Sequence, residues 1–504
     1  MSTDEDAVEW VDAWLASTAF DGAGMRVRRC RARSGLSTLF EVELTFTRDE
    51  ELPADRDTVQ EILRSPCAVA FGERGDVGDP MYGVLREWEL LDCVPGHTST
   101  YRAVLVPRLW YLTRTVRSRV FQEMSVPDIV AAVLTEAGLA EGAAFERALV
   151  ASYPTLEYVV QWEESDFDFV ARLLEREGIF FYFDFAGGTD KVVFGDSNDA
   201  FRDAPEPTLA YVTRAGFVAG RDGLRTLTRR HRVVSHRLVV RDSNYRTPLV
   251  PLQTEAVVHA DGVGLVALYG DHFEDESRGA RVATVRAQER AVEEELLFGA
   301  GTARSVVPGQ IVEITGHPLG ELDQQRFVVV SVERDRAGAA ADGDRLALLP
   351  RGVAYRPPRV TPRPRIEGLM HARIDGAADR SAPLLGAVPK LLGGGGGSGV
   401  AAPIDDQGRY RVLLPFDGVG APGGRATRWI RRIQVYAGPA YGMHFPLHVG
   451  TEVLIAHLGG DPDRPVIVGA VPNPATQSPV TADNATQSVV RTKGNIVTEW
   501  EDDA

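Results

Sequence analysis

The sequence predicts a mainly β protein of several domains, with α-helices inserted between strands. Three observations support this fold class. The chain has 504 residues, which is too long for one hydrophobic core. Short runs of alternating apolar and polar residues recur along it, as in half-buried strands. A segment rich in proline and arginine near residue 360 separates two parts of different composition.

The first part combines strand patterns with well-marked helices. Phe40–Phe46 and Thr98–Val106 alternate in the manner of strands. A helix is predicted after Ser125, with Pro127 in its first turn and Gly138 as its stop signal. Its apolar stripe consists of Ile129, Val130, Val133 and Leu134.

A second helix follows the same pattern and is joined directly to a strand. Ser165 and Asp168 mark its start and Gly178 its end. Its expected apolar stripe consists of Phe167, Val170, Leu173 and Leu174. The aromatic run Ile179–Phe185 is too short for a helix and reads as a strand.

A third helix is predicted at Ser277–Leu297, because this stretch is rich in alanine, glutamate and arginine. We expect it to end at Gly299 and to be followed by a strand at Gln310–Thr315. Prolines and arginines then alternate up to Arg365, which predicts a stiff, extended linker and the main domain boundary.

The second part predicts a small barrel of short strands. Glu452–Leu458 and Val466–Val471 flank a turn rich in glycine and proline, which is typical of a β-hairpin. The five expected strands, consistent with a small Greek-key barrel, are Ile366–Ile374, Tyr410–Leu414, Trp429–Val435, Glu452–Leu458 and Val466–Val471. The run Gly393–Gly399 reads as a surface loop, and both a natural and an introduced origin stay open.

Charge and composition exclude several classes of protein. The net charge of −16, without a long basic stripe, argues against nucleic-acid binding. Three cysteines without metal-binding spacing predict reduced thiols in a chain that folds in the cytosol. The acidic N-terminus lacks the features of a Sec signal peptide. No stretch is apolar for long enough to span a membrane as a helix.

Residues that could carry chemistry have simpler structural interpretations. His444 and His448 have a metal-pair spacing, but Pro446 lies between them and no third ligand is near in sequence. A glycosidase pair is only weakly suggested by the carboxylates Glu163, Glu164, Asp166 and Asp168. Asp168 has a structural role available at the start of a helix, where a negative charge is favourable. The glycine run lacks the ending of a phosphate loop. Neighbouring phenylalanines are typical of core packing, and no nucleophile motif is present. We therefore predict a protein that is not an enzyme and has no catalytic, cofactor-binding or metal-binding residues.

Five segments, in order, resemble the VgrG family of type VI secretion spike proteins and related contractile-phage tail spikes. They cover nearly the whole chain: Val106–Leu112 with Arg119–Asp128, Gln161–Phe183, Val306–Pro318, Pro403–Asp417 and Gly442–Pro474. Val306 and Ile314 stand where the family has leucines.

The resemblance implies a phage-hub-like region of two related β-barrels with helical insertions at 1–360. It also implies an OB-fold domain at 361–480, with its core at 366–475, and the start of a β-helix spike at 481–504. The family's long needle is expected to be lacking or reduced to a stub, because the sequence stops at Ala504. What would sit on such a platform stays open.

By this resemblance the chain is a structural, homotrimeric hub and spike base of a contractile injection machine. It would dock on a hexameric tail-tube protein (Hcp-like), contact baseplate proteins and carry a tip (PAAR-like) or effector protein. It would assemble in the cytoplasm and leave the cell with the machine. Two alternatives remain: a bacteriophage or phage-like baseplate hub, and a spike that carries or recruits a cell-wall hydrolase or toxin. We expect the packing anchors of the trimer to be Trp429, Tyr436, Tyr441 and Phe445.

Overall fold

The computed structural model describes most of the chain. The described residues are 10–20, 24–49, 55–73, 76–93, 98–212, 222–337, 343–376, 401–417 and 425–502. The predicted glycine loop at Gly393–Gly399 lies outside them. Contacts divide the chain into two compact units. The first comprises Met1–Thr115, Val126–Tyr153 and Asp166–Pro362, and the second comprises Val116–Ser125, Pro154–Ser165 and Arg363–Ala504.

The first unit begins with a sheet of six principal strands and one helix. The elements are β1 (Ala13–Ser17), β2 (Met25–Gly35), β3 (Glu41–Arg48), α1 (Arg56–Arg64), β4 (Pro66–Glu73), β5 (Asp76–Val77), β6 (Met81–Cys93) and β7 (Ser99–Val106). The strand order is β1-β4-β6-β7-β3-β2. Strands β1 and β2 stand at the two ends of this order. The Val11 amide, just before β1, donates to the Val27 carbonyl of β2 at 2.8 Å, so the two ends meet and the sheet curls into a barrel.

The middle of the chain supplies helices to the first unit and a pair of antiparallel strands to the second. Its elements are β8 (Val116–Phe121), α2 (Val126–Glu136), β9 (Phe145–Ala148), β10 (Val159–Ser165), α3 (Asp166–Glu177), β11 (Phe180–Asp184) and β12 (Lys191–Gly195). Helix α2 begins directly after Ser125, and its predicted apolar stripe is buried. Strands β8 and β10 pair antiparallel and belong to the second unit.

A second barrel completes the first unit. Its strands are β13 (Arg202–Tyr211), β14 (Gly223–His231), β18 (Glu295–Thr302), β19 (Gln310–Thr315), β20 (Gln325–Ala337) and β21 (Asp344–Pro350). Between β14 and β18 the chain forms a separate three-stranded sheet and a helix: β15 (Arg237–Asp242), β16 (Leu252–Val257), β17 (Leu265–Tyr269) and α4 (Glu276–Ala291). The order β20-β19-β13-β14-β18-β21 is closed by pairing of β20 with β21. Strand β20 also pairs with β2, so one continuous sheet contains both barrels.

The segment rich in proline and arginine forms neither helix nor strand, and it is anchored on the first unit. The Arg356 guanidinium donates to the carbonyls of Gly178 and Asp196 at 2.9 and 2.7 Å. The Thr361 hydroxyl donates to the Glu175 carboxylate at 2.7 Å. Burial raises the pKa of Glu175, and the bonds from Thr361 oppose this shift.

The second unit is built around a four-stranded sheet. Its elements are β22 (Leu369–Ile374), β23 (Val412–Leu413), β24 (Ala437–Gly438), β25 (Tyr441–Gly442), β26 (Glu452–His457), β27 (Pro465–Ala470), β28 (Gln487–Arg491) and β29 (Val497–Glu501). The sheet order is β23-β22-β26-β27, and the predicted hairpin is formed by β26 and β27. Its core includes Tyr158 and Val160 from the segment Pro154–Ser165, which the sequence placed in the hub region.

Several predicted elements need correction. The third helix ends at Ala291 rather than Leu297, because Glu295–Thr302 pairs with β14 as a strand and Gly299 lies within it. In α3 the buried aromatic ring is Phe169, while Phe167 is only half-buried. Trp429–Val435 forms isolated bridges at Ile430 and Arg432 instead of a continuous strand.

The cysteines are free thiols, as the sequence predicts. Cys30 and Cys67 are buried, and Cys93 is partly exposed. Burial raises the pKa of the Cys30 thiol to about 12. Cys30 and Cys67 therefore pack as small apolar groups.

Candidate functional site

The segment that follows Ile430 leaves the core of the second unit and forms an exposed hairpin. Ile430 is buried and pairs with Tyr410 through two backbone hydrogen bonds of 3.0 and 2.7 Å. The Ile433 amide donates to the Ile467 carbonyl at 2.8 Å. Beyond this point, the only strand pair formed by residues 434–445 within the described chain is β24 with β25. The barrel therefore fixes the base of the hairpin and leaves its tip exposed.

The hairpin itself is tight and carries two aromatic rings. Its turn contains Ala440 at φ 61°, in the left-handed region. The Tyr441 ring lies against Gly438, where an added Cβ would stand only 2.1 Å from a ring carbon. Tyr436 packs beside Tyr441, with ring centroids 5.2 Å apart. Gly438 is therefore required for close approach of the ring to the backbone.

His444 anchors the returning chain to the core. Its Nε2 lies 3.3 Å from the buried Tyr410 hydroxyl, and its Nδ1 lies 3.3 Å from the Gln434 amide nitrogen. The Leu447 amide donates to the same Tyr410 hydroxyl at 3.2 Å. Within the described ranges, neither His444 nor His448 belongs to a group of three close metal-ligating side chains.

Large apolar side chains of the hairpin point into solvent. Val435 is 90% exposed, whereas its polar neighbours Arg432 and Gln434 are half-buried. The usual alternation of a surface strand is therefore inverted, with polar groups inward and apolar groups outward. The set of exposed side chains, called the apolar face below, is Ile433, Val435, Tyr436, Tyr441, Met443 and Phe445. Exposed apolar side chains gathered on one element are typical of interaction surfaces.

Three of the four predicted anchors lie in the apolar face. Tyr436, Tyr441 and Phe445 are 61%, 54% and 46% exposed. Trp429 is half-buried, with the Arg411 guanidinium 4.5 Å from its ring centroid. Whether these residues contact another chain stays a prediction.

Sequence reasoning missed the aliphatic members Ile433, Val435 and Met443. Their alternation with polar residues was the available signal. Without the tertiary contacts, however, this alternation predicts that the apolar side chains face the chain's own core. That prediction is wrong for these residues.

A second exposed element lies near the end of the described chain. Strands β28 and β29 form an antiparallel ribbon, with Ser488 opposite Trp500 and Val490 opposite Thr498. Trp500 is 55% exposed, and side chains on both faces of the ribbon remain accessible. A two-stranded ribbon of this kind is marginally stable unless something packs on it.

Two titratable side chains of β26 have shifted pKa values. Hydrogen bonds from Asn473 and then His371 lower the pKa of Glu452. The bonds are 2.7 and 2.6 Å long. Burial lowers the pKa of His457. These interactions stabilise β22 and β26 and have no evident catalytic geometry.

The other candidates for chemistry take up structural positions. Glu163 and Glu164 belong to the second unit, whereas Asp166 and Asp168 lie in the first turn of α3 in the first unit. The phenylalanines after α3 are core residues, and Phe180 and Phe181 are at most 2% exposed. Of the helices in the described part of the chain, none has the length and apolar content needed to cross a membrane.

Comparison with known families identifies both regions of the chain. Residues 33–337, more than half of the chain, match the phage tail baseplate hub (GPD) family. The chain belongs to this hub family. Residues 399–471 match the injector OB domain of type VI secretion systems and phage baseplates. These matches confirm the resemblance and the fold class that the sequence predicts.

Spike proteins are among the relatives of this hub protein. The type VI secretion system spike proteins VgrG4b and VgrG1b of Pseudomonas aeruginosa are each 28% identical to it. Both alignments cover 94% of this chain, and they cover 58% and 62% of the two relatives. The chain therefore spans about three fifths of the length of these relatives.

A solved structure supports the fold. The E. coli c3393 protein, a type VI secretion component with structural similarity to the T4 bacteriophage tail proteins gp27 and gp5, aligns with a TM-score of 0.64 at 23% identity. The alignment covers 91% of this chain and 99% of that one.

Proposed function

We propose that this chain is the structural hub and spike base of a contractile injection machine of the type VI secretion kind, and that it works as a homotrimer. The observation that carries the proposal is the apolar face. Val435, Tyr436 and Tyr441 are each more than half exposed in the single chain. A second and a third copy would remove these side chains from water.

The architecture of the first unit suits such an assembly. Each chain contributes two six-stranded barrels, joined through β2 and β20. Three chains would present six barrels, a number that matches a hexameric ring. A trimer could then dock on a sixfold tail tube with similar contacts around the ring.

The proposed partners follow from this role. They are a hexameric tail-tube protein (Hcp-like), baseplate proteins, and a tip (PAAR-like) or effector protein. The chain would assemble in the cytoplasm and be delivered outward with the tube. A mechanical part of this kind needs rigid sheets rather than an active site, and closed barrels supply rigidity without exposed strand edges.

The test is the oligomeric state of the full chain in solution. We expect the double variant Tyr436→Ser/Tyr441→Ser to lose the trimer, since central aromatic anchors contribute about 2 kcal/mol or more each. Sedimentation velocity at micromolar concentration measures the change. The matched control is Leu249→Ser, which removes a side chain that is 93% exposed in the first unit. It should leave the trimer intact.

Two results would contradict the proposal. One is a wild-type chain that sediments as a monomer over the whole micromolar range. The other is a double variant that still forms trimers as stable as those of the Leu249→Ser control.

A further inference from the structure

At one end of the second barrel, three side chains with metal-binding chemistry converge. They are His231, the last residue of β14, Glu295, the first residue of β18, and Glu294, which precedes β18. One ligand atom from each lies within 4.8 Å of the other two. We propose that this cluster, called the rim site below, binds a divalent first-row transition cation such as Zn²⁺.

The backbone holds the rim site in place. His231 and Glu295 are directly paired residues of the antiparallel ladder, so their side chains leave the sheet on the same face. Glu294 lies in the turn after α4, where the usual alternation of a strand does not apply. Its carbonyl accepts a hydrogen bond of 2.8 Å from the Arg232 amide, which fixes it beside the end of β14.

The side chains need only small movements to reach coordination distance. The His231 Nδ1 atom is already 3.3 Å from Glu294 Oε1. Ligands about 2.1 Å from a tetrahedral Zn²⁺ stand about 3.4 Å apart. The His231 side chain is 50% exposed and that of Glu294 29%, so rotation about their side-chain bonds can close the remaining gap.

Local charge favours a cation at the rim site. Arg229 is bound to Glu295 at 2.6 Å and to Glu321 at 3.1 Å. The Glu294 carboxylate lies within 4.8 Å of the Glu295 carboxylate, so three carboxylates meet at this end of the barrel. Arg229 occupies one oxygen of Glu295, and a carboxylate has a second oxygen with which to bind a metal. The bond also orients the carboxylate, as outer partners of metal ligands commonly do.

The ligand types indicate the class of metal. Neutral imidazole suits Zn²⁺, Cu²⁺ and Ni²⁺, whereas Mg²⁺ and Ca²⁺ prefer oxygen ligands alone. One histidine and two carboxylates would leave a fourth position for water. A bound ion would join β14 to β18 at the rim of the barrel. This inference does not depend on the proposed spike function.

Isothermal titration of the full chain with Zn²⁺ tests the rim site. We expect one equivalent per chain whose affinity falls at least about tenfold in His231→Gln and in Glu294→Gln. Two variants are used so that a folding defect in one, checked by circular dichroism, leaves the other informative. Titration with Mg²⁺ should give no signal that depends on His231.

The matched control is His371→Gln. His371 also contacts a glutamate, Glu452, at 2.6 Å, but this pair belongs to no three-ligand group within the described ranges. We expect this variant to bind Zn²⁺ like the wild type. The proposal is overturned if wild type does not bind Zn²⁺, if both rim-site variants bind as tightly as wild type, or if His371→Gln loses the same equivalent.

Discussion

A buried group of charges where β20 pairs with the start of β21 depends on one carboxylate. Asp344 is fully buried and accepts hydrogen bonds from the Ala303 amide at 2.7 Å and from Arg336 at 2.9 Å. Arg334, itself 1% exposed, lies 3.8 Å away. Burial lowers the pKa of Arg334. The negative charge of Asp344 opposes this shift, because it favours the charged guanidinium. The carboxylate thus balances two guanidinium groups on β20.

We therefore expect Asp344→Ala to lower the free energy of unfolding by about 3–5 kcal/mol, the usual result of leaving a buried charge without its partner. Urea unfolding followed by circular dichroism measures the loss.

The matched control is Asp335→Ala on the same strand pair. Asp335 binds Arg31 at 3.0 Å, but its side chain is 49% exposed. A solvent-exposed ion pair contributes at most about 1 kcal/mol. If the two substitutions lower the free energy of unfolding equally, the buried carboxylate stabilises the fold no more than the exposed one does.

At the scale of single elements, α2 and α3 end in the same way but in different surroundings. Gly138 has φ +83° and Gly178 has φ +72°. An added Cβ at Gly138 meets nothing within 4 Å, whereas at Gly178 it would stand 2.4 Å from Val285 Cγ1 of α4. The sequence predicts both stops. The close packing of α4 on the second one is visible only in the structure.

This difference makes a paired test. We expect Gly138→Ala to cost about 1–2 kcal/mol, the usual penalty of a left-handed backbone for an L-residue. Gly178→Ala should cost about 1–3 kcal/mol more, because the methyl group also overpacks the contact with α4. Chemical unfolding of both variants measures the difference. If the losses are equal, α4 yields to the methyl group without strain.

At the scale of the whole molecule, two elements of the second unit each carry several exposed apolar side chains. One is the apolar face, and the other is the ribbon formed by β28 and β29. Neither is covered by other described residues of the same chain. In the proposed trimer, copies of the chain would cover both.

We expect the ribbon to depend on assembly. Its backbone amides should exchange slowly with deuterated solvent in the trimer and quickly in the monomeric Tyr436→Ser/Tyr441→Ser variant, because an isolated ribbon is marginally stable. Hydrogen exchange with mass spectrometry measures this.

The internal control is the hairpin of β26 and β27, which packs in the core of the second unit and should stay protected in both proteins. Slow exchange of the ribbon in the monomer would mean that it is stable without neighbours.

The sequence by itself determined the local elements and the family. Caps, apolar stripes and glycine stops are short-range signals, so α2, α3 and the strand Gln310–Thr315 were predicted at or near their bounds. The same signals failed at Glu295–Leu297, where alanine- and glutamate-rich sequence favours a helix. Pairing with β14 outweighs that weak preference.

Tertiary structure alone decided the arrangements that depend on residues far apart in sequence. Closure of the second barrel joins β20 to β21, and Tyr158 joins a core formed mostly by residues beyond 370. Val435 ends a predicted strand, yet its side chain is 90% exposed beside the chain anchored by Ile430 and His444. Periodicity shows which side chains share a face, but only long-range packing determines whether that face meets the chain's own core or solvent.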